Sequence, residues 1–223
     1  MNNSRVIRRE MFAPSELIVR ESGEGEEPSR VISGYAILFD TLSAPLWDDE
    51  DSTAREMIAG SAVTQELLDG SDIKMTMFHN RELILARSNK GQGTLKYTID
   101  ERGVKFEFEA PRTIDGDKAL ELVRRGELAG CSFAFSTRYW DQAFVKRSVQ
   151  VVNGHTEITY RVEVITGIYD FTIAADPAYE ETSVEVKARE LKAAAMAEPE
   201  AEREDTGRRV AEAMRRGITK MKI

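Results

Sequence analysis

Apolar and polar residues alternate through most of residues 31–174, and this pattern constrains the fold more than any other feature of the chain. Alternation of this kind is typical of strands that bury one face. The runs rich in β-branched and aromatic residues are 31–39, 73–79, 94–99, 104–110, 131–140, 148–152, 157–165 and 168–174. Asn153-Gly154 predicts a tight hairpin turn between two of them. We therefore expect a mainly β protein of the α+β class, built as a closed or partly open antiparallel β-barrel.

Two helices are predicted between these strands, so the barrel is expected to be flanked by a few helices. The first covers about residues 54–68. The second begins after the candidate cap Asp115 and stops at Gly126. Its apolar residues recur at helical spacing and form a stripe that we expect to be buried: Ala119, Leu120, Leu122 and Val123.

The two ends of the chain differ from its middle. Residues 187–223 contain no aromatic residue and carry ten Lys or Arg against seven Asp or Glu, which is typical of a solvated, partly helical extension. The acidic run at 21–28 is typical of a loop. We expect a flexible N-terminal segment at 1–29, a folded domain at 30–186 and a charged, partly helical tail at 187–223.

The composition argues against several classes of function. A formal net charge of −8 disfavours general nucleic-acid binding, and no apolar run reaches the ~20 residues of a membrane-spanning helix. The start of the chain lacks the apolar stretch of a secretory signal. One cysteine and two histidines are too few for a disulfide or a structural zinc site, and no Gly-rich loop opens a helix as a nucleotide site requires. We expect a cytosolic protein that uses no cofactor, metal, nucleic acid or membrane.

His79 is the first candidate for chemistry. Alternation places it at the end of its strand, on the face shared by Met75 and Met77 and next to solvent. A lone strand histidine is more often structural than catalytic. It gains a role if a nucleophile lies opposite, because an imidazole can take the proton of a serine hydroxyl and later return it.

Ser132 is the candidate nucleophile. It follows Gly130 in a strand where alternation separates it from Phe133 and Phe135, so it points away from the core if the aromatic face is buried. Without other observations a strand serine usually has no role. Cys131 is the rival nucleophile, but alternation puts it on the buried face with the aromatic residues.

A third residue is needed to orient the imidazole and stabilise its charged form. Asp170 is the candidate, because a carboxylate inside an otherwise apolar strand is costly unless it is paired. His155 is the alternative, although its place after the Asn153-Gly154 turn favours an exposed hairpin tip. Asp176 precedes Pro177 and is typical of a turn.

Taken together, these segments resemble the tailed-phage prohead protease family, whose serine peptidase domain is related in fold to the herpesvirus assembly protease. The resemblance runs from about residue 31 to 186. The resemblance rests on the order of three motifs: a strand with a histidine, a helix followed by Gly-x-x-x-Gly-x-Ser-Phe-x-Phe, and a strand with an acidic residue that ends in Pro-Ala. The matching segments are 34–39, 56–60, 77–80, 85–87, 119–126, 130–135 and 169–178. Family members commonly have Asn-His-Asp where this chain has Phe78-His79-Asn80, and Glu is frequent at the position of Asp170.

The resemblance implies a serine endopeptidase with His79 as base, Ser132 as nucleophile and Asp170 as the acidic member. It implies action inside the immature prohead, in the host cytoplasm, on the scaffolding segment of the major capsid protein and on the protease's own ends. A second copy of the chain is a further candidate partner. The alternative is a catalytically inactive scaffold or assembly protein that keeps the protease fold.

Overall fold

The structure is a computed structural model that describes residues 6–13, 17–23 and 27–175. These residues form fourteen strands in three sheets, two α-helices and one short 3-10 helix, which confirms the mainly β class. Within these ranges no helix is both long and apolar enough to span a bilayer.

Sheet A is six-stranded. Of the three candidate catalytic residues, Ser132 and Asp170 lie in its strands, and His79 lies in a turn between two of them. In spatial order its strands are β1 (Val6–Ala13), β11 (Gly130–Arg138), β14 (Gly167–Ala174), β6 (Asp72–Met77), β7 (Asn80–Asn89) and β8 (Gln92–Gly93). Neighbouring strands are antiparallel except β14 and β6, which are parallel. Alternate residues of its central strands bury one apolar face, to which Met75, Phe133 and Phe171 contribute fully buried side chains.

Sheets B and C are four-stranded. The order in sheet B is β2 (Ile18–Val19), β3 (Val31–Leu38), β10 (Gly103–Glu109) and β9 (Lys96–Ile99). The order in sheet C is β12 (Val145–Val152), β13 (His155–Val162), β5 (Ser52–Ile58) and β4 (Trp47–Asp48). The predicted Asn153-Gly154 hairpin is confirmed, since β12 pairs with β13 from Val152 and His155 outward.

The predicted antiparallel barrel differs from the observed sheets in two respects. Each of the three sheets ends in two edge strands, so none closes on itself within the described residues. The β14–β6 and β13–β5 pairs are parallel. Parallel neighbours are joined by long crossover connections, and a period-two pattern predicts which face of a strand is buried but not which strand lies beside it or in which direction.

The predicted helix at 54–68 is wrong over its first half. Residues 52–58 form strand β5, whose alternate residues Ala54, Glu56 and Ile58 are fully buried. A carboxylate at the middle buried position hid the alternation from the sequence analysis. The helical part is limited to the 3-10 helix Gly60–Ala62 and α1 (Gln65–Gly70).

The second predicted helix is confirmed as α2 (Ile114–Arg124). Its N-cap is Thr113 rather than Asp115, because the Thr113 hydroxyl accepts a hydrogen bond from the Gly116 N–H. After the helix, Gly126 has a φ of 72°, the left-handed conformation that commonly ends a helix.

Two strands, β1 and β2, lie before residue 30, where the sequence analysis placed the start of the folded domain. The eight residues of β1 all pair with β11. The alternation signal did not predict this strand, because its charged residues stand next to one another in Arg8-Arg9-Glu10. The predicted tail at 187–223 and the Asp176 turn lie outside the described residues.

Candidate active site

Ser132 lies in the interior of β11, with β1 on one side of the strand and β14 on the other. Its partner on β14 is Thr172. Phe133 and Phe135 project from the opposite face, where their rings stack with centroids 5.0 Å apart and are buried. The serine therefore occupies a rigid position on the polar face of sheet A.

His79 is carried by the turn between β6 and β7, not by a strand. Met77 pairs with Asn80, so Phe78 and His79 form a two-residue hairpin turn, with φ angles of 55° and 54°. The strand predicted to continue to His79 thus ends two residues earlier. Because left-handed residues break the alternation of a strand, the prediction that His79 shares the apolar face of β6 is wrong, and its ring reaches the opposite face.

The imidazole of His79 lies between Ser132 and Asp170. Its Nε2 is 2.8 Å from the Ser132 Oγ, and its Nδ1 is 2.8 Å from the Asp170 Oδ1. An ionised carboxylate can only accept hydrogen bonds, so Nδ1 donates to Asp170. In the neutral ring Nε2 then accepts from the Ser132 hydroxyl. This is the arrangement in which an imidazole can remove the proton of a serine hydroxyl.

The three side chains differ in their access to solvent. Asp170 and Ser132 are only 4% and 6% exposed, whereas a quarter of the His79 side chain is exposed. A buried carboxylate is costly unless paired, and the imidazole supplies a partner for Asp170. The exposed edge of the ring gives solvent a route to the site.

A β-bulge in β14 lies directly before Asp170. Ala134 of β11 pairs with Asp170, but the next residue, Phe135, pairs with Ile168, so Tyr169 is an extra residue on β14. The bulge puts Ile168 beside the aromatic face while Asp170 stays on the face of Ser132. Bulges often re-aim a side chain next to an active site. Nothing in the sequence pattern predicted this one.

Cys131 is not positioned for nucleophilic chemistry. Its side chain is fully buried on the apolar side of β11. Burial raises the pKa of the Cys131 thiol far above its ordinary value, since the charged thiolate would be desolvated. The neighbouring serine is the better nucleophile because it has a base within hydrogen-bonding distance.

His155 lies at the start of β13 in sheet C. Its Nε2 is 2.8 Å from the Thr53 Oγ1, and its Nδ1 is 3.2 Å from the backbone oxygen of Glu50. It is half-buried rather than fully exposed as a hairpin tip would be. Asp170, not His155, is the residue that contacts the His79 ring.

Thr172 also belongs to the site, although the sequence pattern did not predict a role for it. The Thr172 Oγ1 accepts a hydrogen bond of 2.9 Å from the backbone N–H of His79, and it lies 2.6 Å from the Thr76 Oγ1. The available signal was the spacing, since Thr172 is two residues from Asp170 and shares its face of the strand. Among the described residues no group of three or more His, Cys, Asp or Glu side chains is arranged to hold a metal ion.

Comparison with known proteins identifies one family. Residues 15–197 match the description of the caudovirus prohead serine proteases. Among solved structures, the bacteriophage T4 capsid assembly protease, gp21, is similar with 12% sequence identity and a TM-score of 0.38, over 78% of this chain and 98% of that one. No curated protein matches the chain.

Proposed function

We propose that this chain, which belongs to the caudovirus prohead serine protease family, is an active serine endopeptidase. Its proposed substrate is the scaffolding segment of a phage capsid protein. The observation that carries this proposal is the pair of 2.8 Å contacts from the two nitrogens of His79 to Ser132 and Asp170. Each residue then has a distinct role in acyl transfer.

In the first half of the reaction the Ser132 Oγ attacks the carbonyl carbon of the scissile peptide bond while Nε2 of His79 takes its proton. Asp170 stabilises the resulting imidazolium through Nδ1. When the tetrahedral intermediate collapses, the imidazolium gives that proton to the leaving amine, and the acyl group stays on Ser132.

In the second half a water molecule attacks the acyl-enzyme. His79 takes a proton from the water and then returns it to the Ser132 oxygen, which releases the carboxylic acid and restores the starting state. The partly exposed edge of the imidazole provides access for this water.

The substrates that we propose are the scaffolding segment of the major capsid protein and the protease's own ends, inside the immature prohead. Confinement in one shell raises the effective concentration of enzyme and substrate above that in free solution. In this proposal residues 30–186 form the protease domain, to whose sheets β1 and β2 pair, and the segment 187–223 is the candidate for self-removal. The ends of a chain are common sites of cleavage.

The test compares the wild type with Ser132→Ala and Cys131→Ala, each expressed alone and together with the capsid protein. The two substitutions lie next to each other on β11 but on opposite faces, so Cys131→Ala is the matched control. We expect wild type and Cys131→Ala to shorten themselves and the capsid protein, as seen by intact mass. Cleavage by Ser132→Ala should fall by about 10³-fold or more.

Retained cleavage in Ser132→Ala would falsify the serine mechanism. Loss of cleavage in Cys131→Ala alone would support the cysteine nucleophile instead. If all three proteins and the capsid protein stay whole, the chain acts as the non-enzymatic scaffold.

A further inference from the structure

The turn that carries His79 includes a bulky residue, Phe78, that does not favour its geometry. Two-residue hairpin turns with positive φ at both positions usually contain Gly, Asn or Asp, because other side chains meet steric resistance there. The other two such turns in the described residues have glycine at the second position: Lys90-Gly91 and Asn153-Gly154. Phe78-His79 has neither glycine nor a short polar residue.

Such a turn keeps its conformation only if surrounding contacts hold it. The Phe78 N–H donates a hydrogen bond of 3.2 Å to the backbone oxygen of Ile173, and the His79 N–H donates one of 2.9 Å to the Thr172 hydroxyl. Any residue after Thr172 could supply the backbone oxygen. Among the common side chains that fit a buried strand position, only Thr or Ser supplies the hydroxyl.

Thr172 is placed to connect the base and the nucleophile. It is fully buried on β14, where it pairs with Ser132 of β11 on one side and with Thr76 of β6 on the other. Its hydroxyl lies 2.6 Å from that of Thr76, which is also buried but does not contact the turn of His79 through an observed hydrogen bond. One residue thus touches the turn of His79 and lies directly beside the strand position of Ser132.

We propose that Thr172 is a positioning residue whose hydroxyl holds the Phe78-His79 turn, and with it the imidazole, at hydrogen-bonding distance from Ser132. This inference rests on the proposed role of His79 as the base. Without the hydroxyl the turn relaxes away from positive φ, and the ring moves away from the nucleophile and the carboxylate. A displacement of about 1 Å in a catalytic group can reduce the rate about 10²-fold.

The first experiment measures kcat and KM on a peptide substrate for three variants. Thr172→Val removes the hydroxyl and keeps the shape, Thr172→Ser keeps the hydroxyl, and Thr76→Val is the control that removes the neighbouring hydroxyl only. We expect Thr172→Val to lower kcat by about 10²-fold with KM nearly unchanged, because the ring and not the substrate is displaced. Thr172→Ser should recover most of the loss, and Thr76→Val should have a much smaller effect.

The inference is overturned if Thr172→Val keeps the wild-type kcat, or if Thr76→Val lowers kcat as much. A second variant keeps it testable should Thr172→Val not fold. Adding Phe78→Asn, which tolerates positive φ, relieves the turn and should restore both folding and at least part of kcat. No gain over Thr172→Val from this second substitution contradicts the inference.

A measurement that needs no activity separates this inference from the proposed function. The chain has two histidines, so in a His155→Asn background the ring signals in NMR come from His79 alone. We expect a slowly exchanging proton on Nδ1 that is lost in Thr172→Val and kept in Thr172→Ser. If this pattern of proton exchange is seen but the protein cleaves no substrate, the proposed function fails while Thr172 still positions the ring. If the Nδ1 proton stays protected in Thr172→Val, the inference about Thr172 fails.

Discussion

Two hairpins in this protein have the same kind of turn but reach it in different ways. The β12–β13 turn is Asn153-Gly154, a pair that favours positive φ at both positions. The β6–β7 turn is Phe78-His79, which does not, and hydrogen bonds to Thr172 and to the backbone of Ile173 hold it. Turns whose residues disfavour the turn conformation are found mostly at functional sites. The Phe78-His79 turn fits this rule, because it carries the candidate base.

Each hairpin also brings one of the two histidines into a hydrogen-bonded position. His155 follows the easy turn and bonds to Thr53 and to a backbone oxygen. His79 is inside the unfavourable turn and bonds to a hydroxyl and a carboxylate. The residues facing each ring, rather than the histidine itself, are therefore what make His79 the candidate base.

The largest effect should come from removing each histidine in turn. We expect His79→Ala to lower kcat/KM by about 10⁴-fold or more, because His79 is the base within hydrogen-bonding distance of Ser132. His155→Ala should keep activity close to wild type and lose about 1 kcal/mol of stability with its hydrogen bond to Thr53. Peptide cleavage measures the change in kcat/KM, and urea unfolding measures the change in stability. A loss of cleavage in His155→Ala as large as that in His79→Ala would contradict the different roles of the two hairpins.

The next largest effect concerns the carboxylate. Asp170→Asn keeps the shape of the side chain, but its amide can donate to Nδ1 and so favours the wrong tautomer of His79. We expect kcat to fall by about 10³- to 10⁴-fold while the fold is kept. The matched substitution for the other histidine is Thr53→Val on β5, which removes the side-chain partner of His155 and should leave kcat near the wild-type value. Comparable losses from both would contradict the roles assigned to them.

The Asn153-Gly154 turn could be predicted from the sequence and the Phe78-His79 turn could not, because sequence patterns report local preferences only. Asn153-Gly154 is a local signal, so it could be read directly. Phe78-His79 looks like the end of a strand, because the contacts that bend it come from Thr172 and Ile173, more than ninety residues away. The same limit explains the bulge at Tyr169, which exists only through pairing with β11. Strand β5 was missed for a local reason, because buried Glu56 masks the alternation.

The candidate residues were nevertheless named from the sequence. Alternation put Ser132 opposite the buried phenylalanines, and the cost of a carboxylate in an apolar strand marked Asp170. Their selection over other serines and acids came from resemblance to a family. Neither argument could supply the 2.8 Å distances, because these depend on the register between β11, β14 and β6.

A smaller effect is expected when the turn residues are altered. Phe78→Asn should stabilise the protein by up to about 1 kcal/mol, because Asn tolerates positive φ. Asn153→Phe should destabilise it by about 1 kcal/mol or more, because in the described part of the chain no side-chain hydrogen bond like that of Thr172 anchors that turn. Urea unfolding in a Ser132→Ala background, which prevents self-digestion, measures both. Equal effects of the same sign would show that the two turns do not differ as described.

The smallest effect lies at the open end of the β6–β7 hairpin. There Asp72 accepts hydrogen bonds from Arg87 and Lys74, which hold the pKa of the Asp72 carboxyl well below its usual range. A carboxyl whose pKa is lower in the folded than in the unfolded protein stabilises the fold at pH values above the unfolded pKa of ~3.9. This contribution is lost as the pH falls from that value through the lowered pKa of the folded state. Arg87→Gln should therefore lower the urea midpoint slightly at pH 7, and the difference from wild type should shrink below about pH 4. A difference that grows in acid would contradict this assignment.

The central claim is that His79 activates Ser132, and active-site labelling tests it most directly. A fluorophosphonate reacts with a serine oxygen that a neighbouring base has activated, and peptide mapping by mass spectrometry locates the adduct. We predict one adduct, on Ser132, in the wild type and in Cys131→Ala, and none in His79→Ala. An unlabelled Ser132 in the wild type, or equal labelling in His79→Ala, would contradict the claim.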